Sequence, residues 1–588
     1  MEKPTTGEIE TKQKQGKDGS GKLMDIGNAI KRHIRPGMTV HLAAGIGGPS
    51  AAMCELIRQF KGKDPALTII QSTVTGHALN LVHCGLVKKL ICAACIDVSD
   101  SARPSKIIQQ ALEGKKIDLE NWSLCSLQQR LMAGAFGFSF IPTRSVAGSG
   151  IASDHVDSFK EIKDPFDSGI TAGIVKSLNP DISIIHGCAG DEEGNIILSA
   201  PYGDDLWGPL ASTAGVIATV EKLVSADYIK KYAALVKIPG YIVRSVSVAP
   251  LGAHPFSLTN PGIEDFEPYE KDGEFLNALH EASTNKETLN QWIELWVTGC
   301  VDHGDYLKRI GKKRLSALKS HVPKKLEAAP HAVSIASSEP VEKFTAEEMM
   351  YIAVAREIRK SVEREGHKTI LAGAGVGATA AWLAYCQLKA EGHEIGLITG
   401  NGLIGYSPLP GESVLSSEAG VRTAKILTDT VTTHGIFVGG KNNRCLSVLG
   451  TGQIDKYGSI NSTKTGSGKF LVGSGGANDA VNAREVIVAL KQSKDRFAEV
   501  LPFVTGRGDA VTTVVSTMGV FRKKGPEETL CLEACFPGAW ASDLDEKVEA
   551  IQAQCGWTLE KARKIEEIPP PSVEEMELLR WLLASQAE

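Results

Sequence analysis

Two glycine-rich stretches offer the clearest chemistry in this chain. Gly373, Gly375 and Gly377 form one, and Gly473, Gly475 and Gly476, with Ser474 and Ala477 among them, form the other. Without side chains in the way, backbone N–H groups can come close to an anion or to a thioester oxygen. Amides aimed at such an oxygen stabilise an oxyanion or enolate as its charge develops. The same glycines would also serve simple tight turns between strand and helix, and the residues alone leave both readings open. Ser474 has no base near it in the sequence, so it reads as a hydrogen-bond donor rather than a nucleophile. His41 and His186 lie in apolar runs and His254 stands before Pro255; such histidines are more often hydrogen-bonded core residues than bases. Cys92-Ala-Ala-Cys95 is a lone C-x-x-C. A zinc site would need a second pair or histidines at set spacing, so two buried thiols and no metal are expected.

The elements that must position these loops can be read from a faint internal duplication. Thr39-Val-His-Leu-Ala-Ala-Gly-Ile-Gly-Gly48 is echoed by Thr369-Ile-Leu-Ala-Gly-Ala-Gly-Val-Gly-Ala378. Each reads as a buried strand, a Gly-rich turn and an Ala-rich helix. Ile184-Ile-His186 leads to Asp191-Glu-Glu-Gly194, and Val448-Leu-Gly450 leads to Asp455-Lys-Tyr-Gly458. In both, Asp bonds its own backbone two residues on and Gly takes the left-handed turn position. Short apolar strands, Leu67–Ile70, Ile182–Ile185 and Ile436–Val438 among them, alternate with helical stretches such as 375–390. The pattern predicts an α/β fold: two related open, mostly parallel sheets covered by helices on both faces. Ligands of such sheets bind at the carboxyl ends of the strands, where the Gly-rich turns fall.

The 588 residues correspond to roughly three to four domains of common size. Hydrophobic residues make up 42% and charged residues 23%, a globular composition, and the net charge of -5 is spread without a long Lys/Arg tract, which argues against a nucleic-acid surface. Residues 1–22 are polar and lack an apolar signal core, so a disordered tail is expected. No apolar run approaches a membrane span, and a cytoplasmic location is expected. Residues 322–343 are rich in Pro, Ala, Ser, Lys and Glu and read as a linker between 23–321 and 344–588. Thr345 with Glu348 carries the signature of a capping box that opens a helix.

Several segments together resemble family I CoA-transferases of the glutaconate CoA-transferase type. Phe138-Ser-Phe-Ile-Pro142 with Gly148-Ser149-Gly150, and Val248-Ala-Pro-Leu-Gly-Ala-His-Pro-Phe-Ser257, are similar to α-type segments of that family. Gln453-Ile-Asp455 through Asn461-Ser-Thr463, and Val472-Gly-Ser-Gly-Gly-Ala-Asn478, are similar to β-type segments. Thr399-Gly-Asn-Gly-Leu-Ile-Gly-Tyr-Ser-Pro408 resembles the active-site turn, in which the family carries a glutamate at the position of Gly400. That glutamate attacks the acyl-CoA and holds CoA as an enzyme thioester; glycine cannot. The resemblance implies fused α-like and β-like halves with the site between them. It also implies an acyl-CoA substrate, coenzyme A arriving only as part of that substrate, and a homodimer. It favours the acyl-CoA role for the loop 473–477.

With the nucleophile missing, two reactions known among relatives come forward: hydrolytic C–C cleavage of a 3-oxoacyl-CoA, linear or cyclic in its acyl part, and decarboxylation of a glutaconyl-CoA-like thioester. Glu120, in Glu120-Asn-Trp-Ser123, matches a stretch in which relatives carry an acidic residue. In a dry pocket its pKa would rise and it could act as a base; otherwise it is a carboxylate at a helix start, favoured by the helix dipole. The alternative activity is genuine CoA transfer between a dicarboxylic or 3-oxo acyl-CoA and a small carboxylate, through a displaced nucleophile. Glu412 and Glu418 are its nearest carboxylates, and both read as solvated surface charges.

Overall fold

The computed structural model describes residues 21–43, 47–97, 103–166, 169, 171–320, 339–409, 417–538, 540–541 and 543–584. All but the last two residues of the expected tail, positions 322–338 of the expected linker, and Glu412 lie outside these.

Two large sheets carry the architecture, and they share one strand order. In the first, the parallel strands run Val243–Val248, Val216–Leu223, Ile182–Gly190, Thr39–Leu42, Leu67–Ile70, and continue through Val87–Cys92 to Asp118–Asn121. In the second they run Val511–Ser516, Glu485–Leu490, Cys445–Gly450, Thr369–Ala372, Gly396–Ile398, with antiparallel strands added at both edges. Each sheet therefore sets its first strand between its second and the strand that precedes the Asp-x-x-Gly turn. Central strands such as Ile182–Gly190 and Glu485–Leu490 are buried along their whole length, as expected where helices cover both faces.

The duplication extends to atomic detail. Asn195 N–H donates to Asp191 Oδ1 at 2.8 Å, and Ser459 N–H donates to Asp455 Oδ1 at 2.8 Å. Gly194 and Gly458 take φ of 92° and 84°. A Cβ on either would come within 2.9–3.0 Å of the Cβ of Val243 or Val511, which occupy equivalent strands.

After Thr39–Leu42 comes the helix Ser50–Phe60, and after Thr369–Ala372 comes Val376–Ala390. Their Ala-rich faces are buried on the sheets. The helix Ala346–Glu365 opens on the expected capping box: Glu348 N–H donates to Thr345 Oγ1 at 3.0 Å, and Thr345 N–H donates to Glu348 Oε2 at 2.8 Å. One expected strand is not a strand. Ile436–Val438 belongs to a π-helical turn, Thr433–Val438, closed by Gly439 N–H donating to the His434 carbonyl at 2.8 Å. No helix among the described residues is long and apolar enough to cross a membrane.

Candidate active site

The loop 473–476 lies in the seam between the halves and is bonded to the first sheet. Cys95 N–H donates to the Val472 carbonyl and Gly475 N–H to the Ala93 carbonyl, each at 2.9 Å; Leu124 N–H donates to the Gly475 carbonyl at 2.9 Å. Ser474 N–H donates to Asn121 Oδ1 at 3.1 Å, and Asn121 Nδ2 is held by the Ala93 carbonyl at 2.8 Å. Glycine is required at 473. Its φ is 97°, and a Cβ would sit 2.5 Å from the Ala93 carbonyl oxygen. The amides of Ser474 and Gly475 are thus committed to the other half, which leaves them engaged rather than open to an acyl oxygen.

Beyond the loop, Asn478 and Asp479 clamp the seam. Ser123 Oγ and Ser145 Oγ both donate to Asp479 Oδ1 at 2.6 Å, and Cys125 N–H donates to Asp479 Oδ2 at 2.9 Å. Val146 N–H donates to Asn478 Oδ1 at 2.8 Å. Ser123 also caps the helix Leu124–Ala135, so the carboxylate of one half fixes the start of a helix in the other.

At Gly400, where the resemblance puts the family's nucleophile, His434 lies against the main chain. A Cβ built on Gly400 would stand 2.9 Å from His434 Nε2, and one on Gly476 would stand 3.4 Å from the same ring. The imidazole is thus wedged between the active-site turn and the glycine-rich loop. It is buried, and neither ring nitrogen has a partner among the described residues. Leaving a buried donor and acceptor unmade costs about 1–3 kcal/mol each, so a group to be hydrogen-bonded belongs there. Burial lowers the His434 pKa, partly offset by the Asp479 charge, and so favours the neutral ring.

A second unexpected carboxyl is close by. Tyr202 N–H donates to the Thr428 carbonyl and Thr430 N–H to the Gly203 carbonyl, each at 3.0 Å, which carries Asp204 into the same seam. Burial pushes the Asp204 carboxyl up to about 6. The charges of Asp429 and Asp479 add to that rise. Asp204 Oδ1, Gln71 Oε1, Gln128 Oε1 and Ser474 Oγ are buried and unpartnered among the described residues. Gln128 is tied to Ser72 at 2.9 Å. Such a concentration of unmet polar atoms at the carboxyl ends of two parallel sheets is the signature of a polar ligand site.

The other sequence candidates divide. Glu120 is neither a raised-pKa base nor a helix-start carboxylate. It lies on the strand Asp118–Asn121, paired with Lys89 and Arg130 at 2.6 Å each and accepting from Trp122 Nε1 at 2.8 Å. Burial alone would raise its pKa; the Arg130 charge and the bonds from Lys89, Trp122 and Arg130 override this and bring it to about 2. Gly373 and Gly377 are packing glycines, since a Cβ on either would meet the Val448 carbonyl oxygen at 2.6 Å. Gly375 faces open space with φ of 68°.

His41 pairs with Ser183, His186 with Thr219 and Glu221, and His254 with Tyr306 and Asp272. Cys92 and Cys95 are buried with their sulfurs 3.4 Å apart. Glu418 is buried, not solvated, and accepts from Asn260 N–H at 2.8 Å.

Fold and seam define an α/β protein with a candidate site between two related halves. Residues 23–249 match the family described as Coenzyme A transferase. The A-type polypeptide of glutaconate CoA-transferase from Acidaminococcus fermentans is 28% identical over 319 residues, which is 51% of this chain and 94% of that protein. The B-type polypeptide of 3-oxoadipate CoA-transferase from Pseudomonas knackmussii is 27% identical over 269 residues, 42% of this chain and 95% of that protein. A solved acyl-CoA transferase from E. coli O157:H7, in thioester complex with CoA, shares the fold with a TM-score of 0.64 at 17% identity, covering 94% of this chain and 95% of its own. Relatives of the A type and of the B type cover different halves, and together with the family match over residues 23–249 they support a fused CoA-transferase family I protein.

Proposed function

We propose that this protein acts on an acyl-CoA thioester without forming a glutamyl-CoA intermediate. The reaction would be hydrolytic C–C cleavage of a 3-oxoacyl-CoA, linear or cyclic, or decarboxylation of a glutaconyl-CoA-like thioester. The observation that carries the reading is at Gly400, where the family's glutamate side chain would begin: the space is filled by a neutral imidazole. Glu418, the described one of the two glutamates that follow the turn, is bonded to Asn260 rather than free to attack. Coenzyme A then enters as part of the substrate, and the chemistry needs no further cofactor, because a thioester enolate is itself the electron sink. The resemblance to paired α–β assemblies supports a cytoplasmic homodimer, which size-exclusion light scattering would test.

The deciding experiment is mass spectrometry of products after incubation with glutaconyl-CoA, methylglutaconyl-CoA and cyclic 3-oxoacyl-CoA panels, with and without acetate. Loss of CO2, or gain of water with C–C cleavage, is expected. CoA appearing on acetate, together with a borohydride-sensitive enzyme carboxylate, would overturn the proposal in favour of transfer.

A further inference from the structure

We infer that His434 is the acid–base group of this site and that the reaction is the hydrolytic one. The inference rests on the preceding reading of an acyl-CoA enzyme lacking the family's nucleophile.

Position is the first ground. The ring lies between Gly400 and Gly476, 2.9 Å and 3.4 Å from where their side chains would start. Main chain without side chains borders the ring on both sides, so a thioester brought to the reacting position that the resemblance gives meets this imidazole. State is the second. No other buried histidine among the described residues has both ring nitrogens unpartnered. His41, His186 and His254 each spend at least one nitrogen on a neighbouring side chain. An imidazole serving only as filling would be replaced by an apolar side chain at less cost, since both its polar atoms are buried unmade. The carriage is the third. His434 rides on a π-helical turn, a geometry often found at functional sites. It faces the carboxylate of Asp479, whose position is fixed by Ser123 and Ser145, and that charge supports an imidazolium once formed.

The step balances with water and substrate alone. Nε2 takes a proton from water. The hydroxide oxygen bonds to the ketone carbon of the 3-oxoacyl-CoA and gives a tetrahedral alkoxide. Collapse of the alkoxide breaks the bond between C2 and C3, and its electron pair moves to C2 and onto the thioester oxygen as an enolate. The imidazolium returns the proton to C2. The products are a carboxylic acid and a shortened acyl-CoA, joined as one molecule when the substrate is cyclic.

The test uses the full chain with 3-oxoacyl-CoA panels in H2 18O. The wild type is expected to place one 18O in the new carboxylate. His434→Gln, which keeps size and polarity, is expected to lower cleavage by about 100-fold or more, with KM changed only a few-fold. Gly400→Ala sets a methyl against Nε2 and is expected to lower kcat in a protein that melts normally, so the inference stays testable should the histidine variant not fold. Wild-type cleavage by His434→Gln would overturn the inference. So would decarboxylation without 18O uptake that survives His434→Gln, which leaves the broader reading standing. CoA transfer to acetate by the wild type sinks that broader reading instead.

Discussion

Glu120→Gln should cost stability in a way that depends on pH and leave the chemistry in place. The carboxylate is largely enclosed between Lys89 and Arg130, and the Arg130 side chain is only 5% exposed. Removing the charge strands a guanidinium that also stacks over Trp122 at 4.4 Å. The depression of its pKa from 4.5 to about 2 corresponds to about 3 kcal/mol, at about 1.4 kcal/mol per tenfold. Breaking a buried pair by removing one partner gives a similar figure of about 3–5 kcal/mol. Burial also lowers the Arg130 pKa, so the lower end is expected.

For a cooperative unit the size of one half, this is a melting shift of about 5 °C. The sign follows from the depressed pKa. The contribution is complete above about pH 4.5 and disappears as pH falls through about 2. The assay compares melting of wild type and variant from pH 7 to pH 2, beside turnover at pH 7. A variant that melts with the wild type at pH 7 yet loses cleavage 100-fold would refute this and restore Glu120 as a base.

Asp204→Asn should stabilise the protein at pH 7.5 by on the order of 2–3 kcal/mol, because a pKa raised from 3.8 to about 6 loses stability as pH rises between those values; melting curves should converge below pH 4, and a gain that persists there would disprove the cause. Gly473→Ala forces a left-handed alanine against the Ala93 carbonyl and the Asn121 amide, costing about 3 kcal/mol and loosening the seam; a melting temperature within 1 °C of wild type, where about 5 °C is expected, would contradict that. Gly400→Glu alone should form no CoA adduct in intact-mass spectra, since His434 fills the side chain's path, whereas Gly400→Glu with His434→Ala should; an adduct on the single variant would show that the imidazole moves aside.

Much of the frame was legible because it depends on local sequence. Two apolar strands, each followed by glycines and an Ala-rich stretch, marked the start of the two halves, and the Asp-x-x-Gly turns are closed by bonds within five residues. Ile436–Val438 failed for the same reason: three apolar residues fit a strand or a buried helical turn equally, and the π-helical winding comes from packing. The site was less legible. Gly400 stood out through its resemblance, but His434 lies 34 positions further on, in a run without a motif, and only the fold brings it to Gly400 and Gly476. Asp204 and Asp479 owe their settings to contacts across the two halves. The setting of Glu120 was not legible because Lys89 comes from the neighbouring strand, where Ile91 is opposite Glu120, and Arg130 from the following helix.

The bonds that tie residues 472–475 to Ala93, Cys95 and Asn121 also bear on how the protein is made. The ribosome delivers the first sheet hundreds of residues before this loop, so a finished template is waiting when the loop emerges. The second half on its own would keep the bond from Ser462 Oγ to the Gly473 carbonyl but lose those that place Ser474 on Asn121 and Gly475 on Ala93. On the function proposed above, competence toward a reactive thioester arrives only with correct docking, and a misassembled or severed half is chemically silent.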